Sequence, residues 1–218
     1  MAKDVHVRTP LTRERVLQAA IRTADDEGIE SLTMRKLARE LGVEAMSLYN
    51  HVANKEDLLA GIVDAVAGEI ELPTRARDWK RAIRRSAISS RDVLVRHPWS
   101  ARLWLSAGGG GSSRMRNADW LLRTLREGGL SEDLVYHGYH VLQAYVLGYT
   151  FQQLSVPYEA QELAGMAQRF LREFPIEEYP DLGEHIRQHI KPRRGKEGGF
   201  ELGLDLILNG LEQTAAPA

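Results

Sequence analysis

Residues 31–59, SLTMRKLARELGVEAMSLYNHVANKEDLL, constrain the fold more than any other stretch of the chain. Met34, Leu37, Ala38 and Leu41 recur at i, i+3, i+4 and i+7, which predicts a helix with one apolar face. Thr33 stands before that run and can accept a backbone N–H at its start. Gly42 follows it and can take the positive φ that turns the chain. A second helix, predicted over about Glu44–His51, has little to bury and much to present. One helix that braces and one that presents is what a helix-turn-helix requires, the second lying in the DNA major groove.

The residue types on the presenting helix suit that task. Glu44, Ala45, Met46 and Ser47 occupy its N-terminal end, where groove-inserted helices meet base edges. Ala45 and Met46 suit a thymine methyl, and Ser47 can bond a base or a phosphate. Tyr49, Asn50 and His51 follow one turn later with polar tips fitted to phosphate oxygens, which set register without reading sequence. Arg35 has the planar fork that pairs with guanine O6 and N7. Asn54 is the expected N-cap of a third helix beginning at Lys55, with Asp57 completing a box-like pair. A lysine and free backbone N–H groups at such a start form a phosphate clamp.

The segments LTMRKLARELGV and SLYNHVANKEDLL closely resemble the DNA-binding domain of the tetracycline-repressor (TetR) family of bacterial transcription regulators, over about Leu11–Ile70. The resemblance implies that Thr33, Arg35, Ser47, Tyr49, His51 and Lys55 sit where family members touch DNA. Farther on, DWKRAIRRSAISSRDVLVRHPW, YHVLQAYVLGYTFQQ and FELGLDLILNGLE resemble the ligand-binding half of the same family.

Composition narrows the alternatives. No cysteine is present, which excludes disulfides, thiolate zinc sites and a cysteine nucleophile. The N-terminus has no apolar stretch of a secretory signal, and no apolar run reaches the roughly 20 residues that span a bilayer, so a cytoplasmic protein is expected. Net charge is only −1, which argues against nonspecific coating of nucleic acid. A site-specific reader needs only a few well-placed cations. Arg8, Arg13 and Arg15 are further phosphate candidates, with an ordinary solvated face as the alternative.

Nearly the whole chain reads as helical, predicting an all-α protein. A three-helix helix-turn-helix domain (residues 1–72) is joined by a connecting helix to a ligand-binding and dimerisation domain (73–218). Further helices are expected over Lys55–Glu71, from Asp78 to His97, through Leu103-Trp104-Leu105, and over Arg114–Glu127, Glu132–Leu154, Ala160–Glu173, Asp181–Ile190 and Phe200–Leu211. The run Gly108 to Ser113 lacks the lysine of a phosphate-binding loop and reads as a surface loop. The last helix is apolar nearly all round, through Phe200, Leu204, Ile207 and Leu211 and also Leu202, Leu206 and Leu208. Such a helix must be buried on two sides, one of them against a second subunit. Gly138, Ala144 and Gly148 would permit close approach of the 132–154 helix.

Nothing in the sequence assembles a catalytic centre or calls for a cofactor or metal. His137/His140 and His185/His189 are helically spaced pairs with no third ligand, and no nucleophile elbow is present. The cations Lys191, Arg193, Arg194 and Lys196 read as a solvated loop. Trp99, Leu103, Trp104, Leu105, Trp120, Tyr145, Phe151 and Gln152 are candidates to line a ligand cavity. The tetracycline repressor holds a magnesium–drug chelate. By resemblance its liganding histidine falls on Trp104, its drug-contacting histidine on Glu71, its asparagine on Ser86 and its glutamate on Gln152. These exchanges imply a different, more apolar effector. The expected protein is thus a homodimeric repressor of a palindromic double-stranded DNA operator, released by a small molecule. The alternatives are an activator of the same architecture, or a helical binding protein or enzyme without a DNA role.

Overall fold

The helical spacing of apolar residues is realised throughout. The computed structural model describes residues 10–74, 78–104, 106, 111–155, 160–190 and 198–215, and among them every regular element is helical. The first four helices are α1 (Arg13–Glu27), α2 (Met34–Leu41), α3 (Ala45–Leu48) and α4 (Lys55–Ala67). Each boundary has a local cause. Thr12 Oγ1 accepts the Arg15 N–H, Thr33 Oγ1 accepts the Lys36 N–H, and Asn54 Oδ1 accepts the Asp57 N–H at 2.7 Å. Gly42 ends α2 in the left-handed region (φ 66°, ψ 35°), which a side chain would resist. Val16, Leu37, Leu48, Val52, Leu58 and Ile62 then close one dry core.

Two expected boundaries are shorter than the sequence suggests. The presenting helix ends at Leu48 instead of His51, because the chain tightens into i→i+3 bonds: the Tyr49 N–H donates to the Met46 carbonyl and the His51 N–H to the Leu48 carbonyl. That tightening buries Val52 beside Leu48 and delivers Asn54 to its cap. The connecting helix ends at Ala67 instead of Glu71. By residue 71 the chain has left the helix, and the Glu71 N–H donates to Ser89 Oγ. Ile70 still faces inward, whereas Leu59 is only half-buried.

The remaining helices are α5 (Trp79–Arg96), α6 (Pro98–Leu103), α7 (Ser112–Glu127), α8 (Glu132–Ser155), α9 (Ala160–Glu173), α10 (Pro180–Gln188) and α11 (Gly199–Ala215). α5, α7, α8 and α11 enclose a second core around Ile83, Leu94, Leu125, Leu142, Phe200 and Leu204. The expected apolar helix at 103–105 instead stops at Leu103, with Trp104 as its C-cap. α7 starts two residues earlier than expected, because α4 caps it. Asp64 Oδ2 accepts the Ser113 N–H at 3.2 Å, and Asp64 Oδ1 accepts the Arg114 N–H at 2.9 Å. Gly111 makes room for this: a Cβ there would fall 2.0 Å from the Asp64 carboxyl carbon. The last glycine of the run is therefore a contact site between helices. Leu105, Gly108 to Gly110, Arg8 and the cations Lys191, Arg193, Arg194 and Lys196 lie outside the described residues.

α6 joins the two cores. Trp99 is 6% exposed and packs with the first core, and its indole N–H donates to Asp25 Oδ1 of α1 at 2.7 Å. The same oxygen lies 2.8 Å from Nδ1 of His97, also buried, while His97 Nε2 faces Glu69, which pairs with Arg96. Trp99 is thus a strut between α1 and the larger domain. Trp99→Ala should lower unfolding free energy by about 3–5 kcal/mol. Trp99→Phe, which keeps an aromatic ring but loses the N–H and part of the buried indole volume, should cost less, about 1–3 kcal/mol. Chemical denaturation of the two variants measures both.

Candidate nucleic-acid interface and ligand cavity

The helix-turn-helix puts its expected contact residues on one solvated surface. α3 anchors through Leu48, which is completely buried, with Ala45 packed beside it against the core, so its remaining side chains are left outward. Glu44, Met46, Tyr49 and Asn50 are exposed, Met46 by 74% and Tyr49 by 44%, while Ala45, Ser47 and His51 are half-buried at its flanks. Methionine and tyrosine bare to water in a well-packed unit have no stabilising role there, and a base-edge or phosphate contact would cover them. Thr33, Arg35 and Lys55 are also exposed, the first capping α2 and the last beginning α4. Among the described residues, neither Arg35 nor Lys55 forms an ion pair, so both cations are available to phosphates or bases.

The face is held from behind by one clamp. Arg13 of α1 donates to both Asp57 oxygens, at 2.9 and 2.7 Å, and to the His51 carbonyl at 2.7 Å. Asp57 also accepts the Ala53 N–H at 2.8 Å. The Arg13 hydrogen bond, then the Ala53 N–H and the Arg13 charge, lower the Asp57 carboxyl from 3.8 to about 2. It is therefore ionised at any pH where the protein works, and the turn after α3 stays tied to α1 and α4. Arg13 is spent on this clamp, and Arg15 donates to the Pro10 carbonyl.

A cavity of about 60 Å³ lies where α5, α7 and α8 meet the chain leaving α4. Trp104 and Trp120 line it, as expected, and so does Ser86. The other candidates stand elsewhere. Trp99 is the interdomain strut, and Leu103 packs against the first core. Tyr145 stacks on Phe200 and donates its hydroxyl to the Phe200 carbonyl at 2.9 Å. Phe151 and Gln152 lie on the exposed side of α8, Phe151 being 49% exposed. Glu71 pairs outward with Arg85. Residues not singled out in the sequence complete the wall: Ser90, Asn117, Gln143, Leu142 and Val146, with Ile70 and Leu72 from the end of the connecting segment. The signal that could have found them is the buried stripe of α8, Val135, Leu142, Val146 and Thr150, which marks the inward side; aromatic content does not.

The histidine pairs assemble no larger cluster. Among the described residues no three metal-ligating side chains converge. His137 and His140 flank the exposed Tyr136 ring on α8, and His185 and His189 stack edge-on at the end of α10. Among the described residues, no helix is long and apolar enough to cross a membrane.

Known proteins share both halves of this architecture. Residues 16–62 match the bacterial regulatory proteins of the tetR family, and residues 72–215 match the tetracyclin repressor-like C-terminal domain. The transcriptional repressor DrrR1 of Streptomyces coeruleorubidus is 32% identical over 94% of this chain and 79% of its own length. ActR of Streptomyces coelicolor, solved in complex with actinorhodin, superposes with a TM-score of 0.81 at 29% identity, covering 96% of this chain and all of its own. BioQ, solved with its natural double-stranded DNA operator, superposes with a TM-score of 0.65 at 28% identity over 94% of this chain and 99% of its own. With a helix-turn-helix domain and a C-terminal helical domain that both match, this chain belongs to the TetR family of transcriptional regulators, which are not enzymes.

Proposed function

We propose that this chain is a cytoplasmic, homodimeric repressor that reads a palindromic DNA operator and is released by a small apolar or aromatic effector. The observation that carries the reading is the composition of the cavity wall. It combines tryptophans and aliphatic side chains with residues 70 and 72, which lead out of the helix-turn-helix domain. The boundary between the reading domain (1–72) and the sensing domain (73–218) falls at this wall. A volume of about 60 Å³ holds a few waters, whereas small-molecule sites occupy about 300–1,000 Å³. A drug-sized ligand can therefore enter only by moving the walls, and α4 is attached to them. Such a ligand binds the widened state in preference, which is the sole way a ligand can shift a conformational equilibrium. Support also comes from relatives: a similar chain is named a repressor, another holds actinorhodin, and a third holds its operator DNA.

Dimerisation follows from what α8 and α11 leave bare. Phe200, Leu204 and Leu208 face the chain's own core, while Leu202 and Leu206 on the far side of α11 are 57% and 66% exposed. On α8, Val141, Ala144, Gly148 and Phe151 are exposed at i, i+3, i+7 and i+10, one continuous apolar face. Gly138 is used inside the chain, against Leu211, whereas Gly148 and Gly210 open onto free space that a second copy of the helix pair would fill. Two helices from each subunit then form a four-helix bundle. Twofold symmetry would set the two α3 helices about 34–36 Å apart, one turn of DNA.

The operator test uses an inverted repeat from the DNA flanking the gene. Lys55→Ala should weaken binding to all sequences alike and reduce the salt slope by about 1. Arg35→Ala should relax preference at one base pair per half-site, by about 1–3 kcal/mol. Tyr49→Phe and Lys55→Ala proteins that bind as tightly as wild type across a salt titration rule out this face.

Assembly is tested separately. Leu206→Glu places a charge on the bare side of α11 and should convert a dimer to a folded monomer in light scattering at micromolar concentration. A wild-type monomer under those conditions overturns the dimer.

Release is tested by anisotropy on the same operator. An indole at Trp104 cannot coordinate magnesium, so magnesium–tetracycline should leave the complex intact. Members of a lipophilic aromatic panel should dissociate it. Magnesium-dependent release by micromolar tetracycline refutes the apolar-effector reading.

A further inference from the structure

The cavity wall holds a buried polar atom that no described residue satisfies. Asn117 reaches from the second turn of α7, and its Nδ2 donates to the Ala67 carbonyl, the last residue of α4, at 2.8 Å. That bond fixes which end of the amide is which. The other end, Oδ1, is buried and has no hydrogen-bond partner among the described residues. Two donors on the same wall are committed elsewhere: the Trp120 indole N–H goes to the Pro73 carbonyl at 3.2 Å, and the Ser90 hydroxyl to the Ser86 carbonyl at 2.8 Å. An acceptor in this position is served by whatever enters the cavity.

We propose that Asn117 is the specificity-determining residue of the cavity, selecting aromatic ligands that carry a hydroxyl or N–H donor. The inference rests on the reading of this cavity as the effector site and adds the polar requirement that its apolar walls do not express. The physical basis is the cost of a buried acceptor left unpaired. Oδ1 is sealed in the wall of a cavity of about 60 Å³, and it becomes reachable when the walls part for a ligand. A purely apolar ligand leaves the carbonyl stranded, and a ligand with a correctly placed donor satisfies it. Engaging Oδ1 also polarises the amide and strengthens the Nδ2–H bond to the Ala67 carbonyl. A recognised ligand therefore grips the end of α4 through the same side chain that identifies it.

The test compares 2-naphthol with 2-methoxynaphthalene, equal in ring system and differing in the donor, by isothermal titration calorimetry on the full-length protein. Wild type should bind 2-naphthol about tenfold more tightly, as expected for one buried hydrogen bond made or left unmade. Asn117→Leu, with its fold checked by thermal melting, should bind both probes with equal affinity. The wild-type comparison stands even if that variant does not fold. Equal affinities in wild type overturn the role of Asn117 and leave the cavity as effector site intact. Persistence of the tenfold preference in Asn117→Leu places the donor elsewhere and also overturns it. Failure of both probes to bind overturns it too. The effector-site reading itself fails only if, in addition, no member of the aromatic panel releases the operator.

Discussion

The Asp64 carboxylate on the first turn of α7 is the contact on which the two halves of the chain depend. A carboxylate at a helix N-terminus satisfies orphan backbone N–H groups and lies at the positive end of the helix dipole. Here the cap comes from a different domain. α4 is buried along Leu58, Ile62, Val63 and Val66 in the core of the reading domain, and it supplies the cap of a helix that walls the cavity. Asn117 returns the interaction one turn later by donating to the carbonyl of Ala67. α4 and α7 are thus held together at the α7 N-terminus and at the α4 C-terminus, and a displacement of either helix is felt by the other.

A second attachment works differently. α6 fixes α1 to the larger domain through Trp99, His97 and Asp25, a buried joint of large side chains. Its stability comes from packing as much as from polar bonds, so it suits a fulcrum. The α4–α7 contact is polar and lies at helix ends, where bonds can be exchanged with water when the helices part. On the proposed reading, a fixed point beside a releasable one would let a small change in the cavity become a rotation of the reading domain.

The parts legible in the sequence are those whose causes are local. Thr33 and Asn54 cap helices, Gly42 turns the chain, and the 3.6-residue spacing of α2 sets its buried face. The outward set on α3 follows from the same periodicity, since Leu48 enters the core and Ala45 packs at its edge. What sequence reading missed depends on distant partners. α3 stops at Leu48 because Val52 must reach the core, and α7 begins at Ser112 because Asp64, 49 residues before the Ser113 whose N–H it accepts, is adjacent in space. Aromatic side chains do not by themselves mark a cavity, because they are equally good core formers. Tyr145 and Trp99 found partners in Phe200 and Asp25, and the wall was completed by Asn117, Gln143 and Ser90.

On the proposed reading, the strength of the α4–α7 contact matches what a releasable regulator needs. A helix cap contributes about 0.5–2 kcal/mol. One neutral hydrogen bond such as that from Asn117 to the Ala67 carbonyl adds about 0.5–1.5 kcal/mol. Together they are comparable to the coupling of about 1–3 kcal/mol that changes affinity between linked sites 5- to 150-fold. A contact much weaker would let α4 drift without ligand, and the reading heads would lose their spacing. One much stronger, such as a second apolar interface of the Trp99 kind, would demand more differential binding energy than a small ligand can supply. The absence of bulk positive charge fits the same balance. With a net charge of −1, nonspecific attraction to DNA is small, so on the proposed reading a modest loss of correct spacing would remove most of what holds the protein to its site.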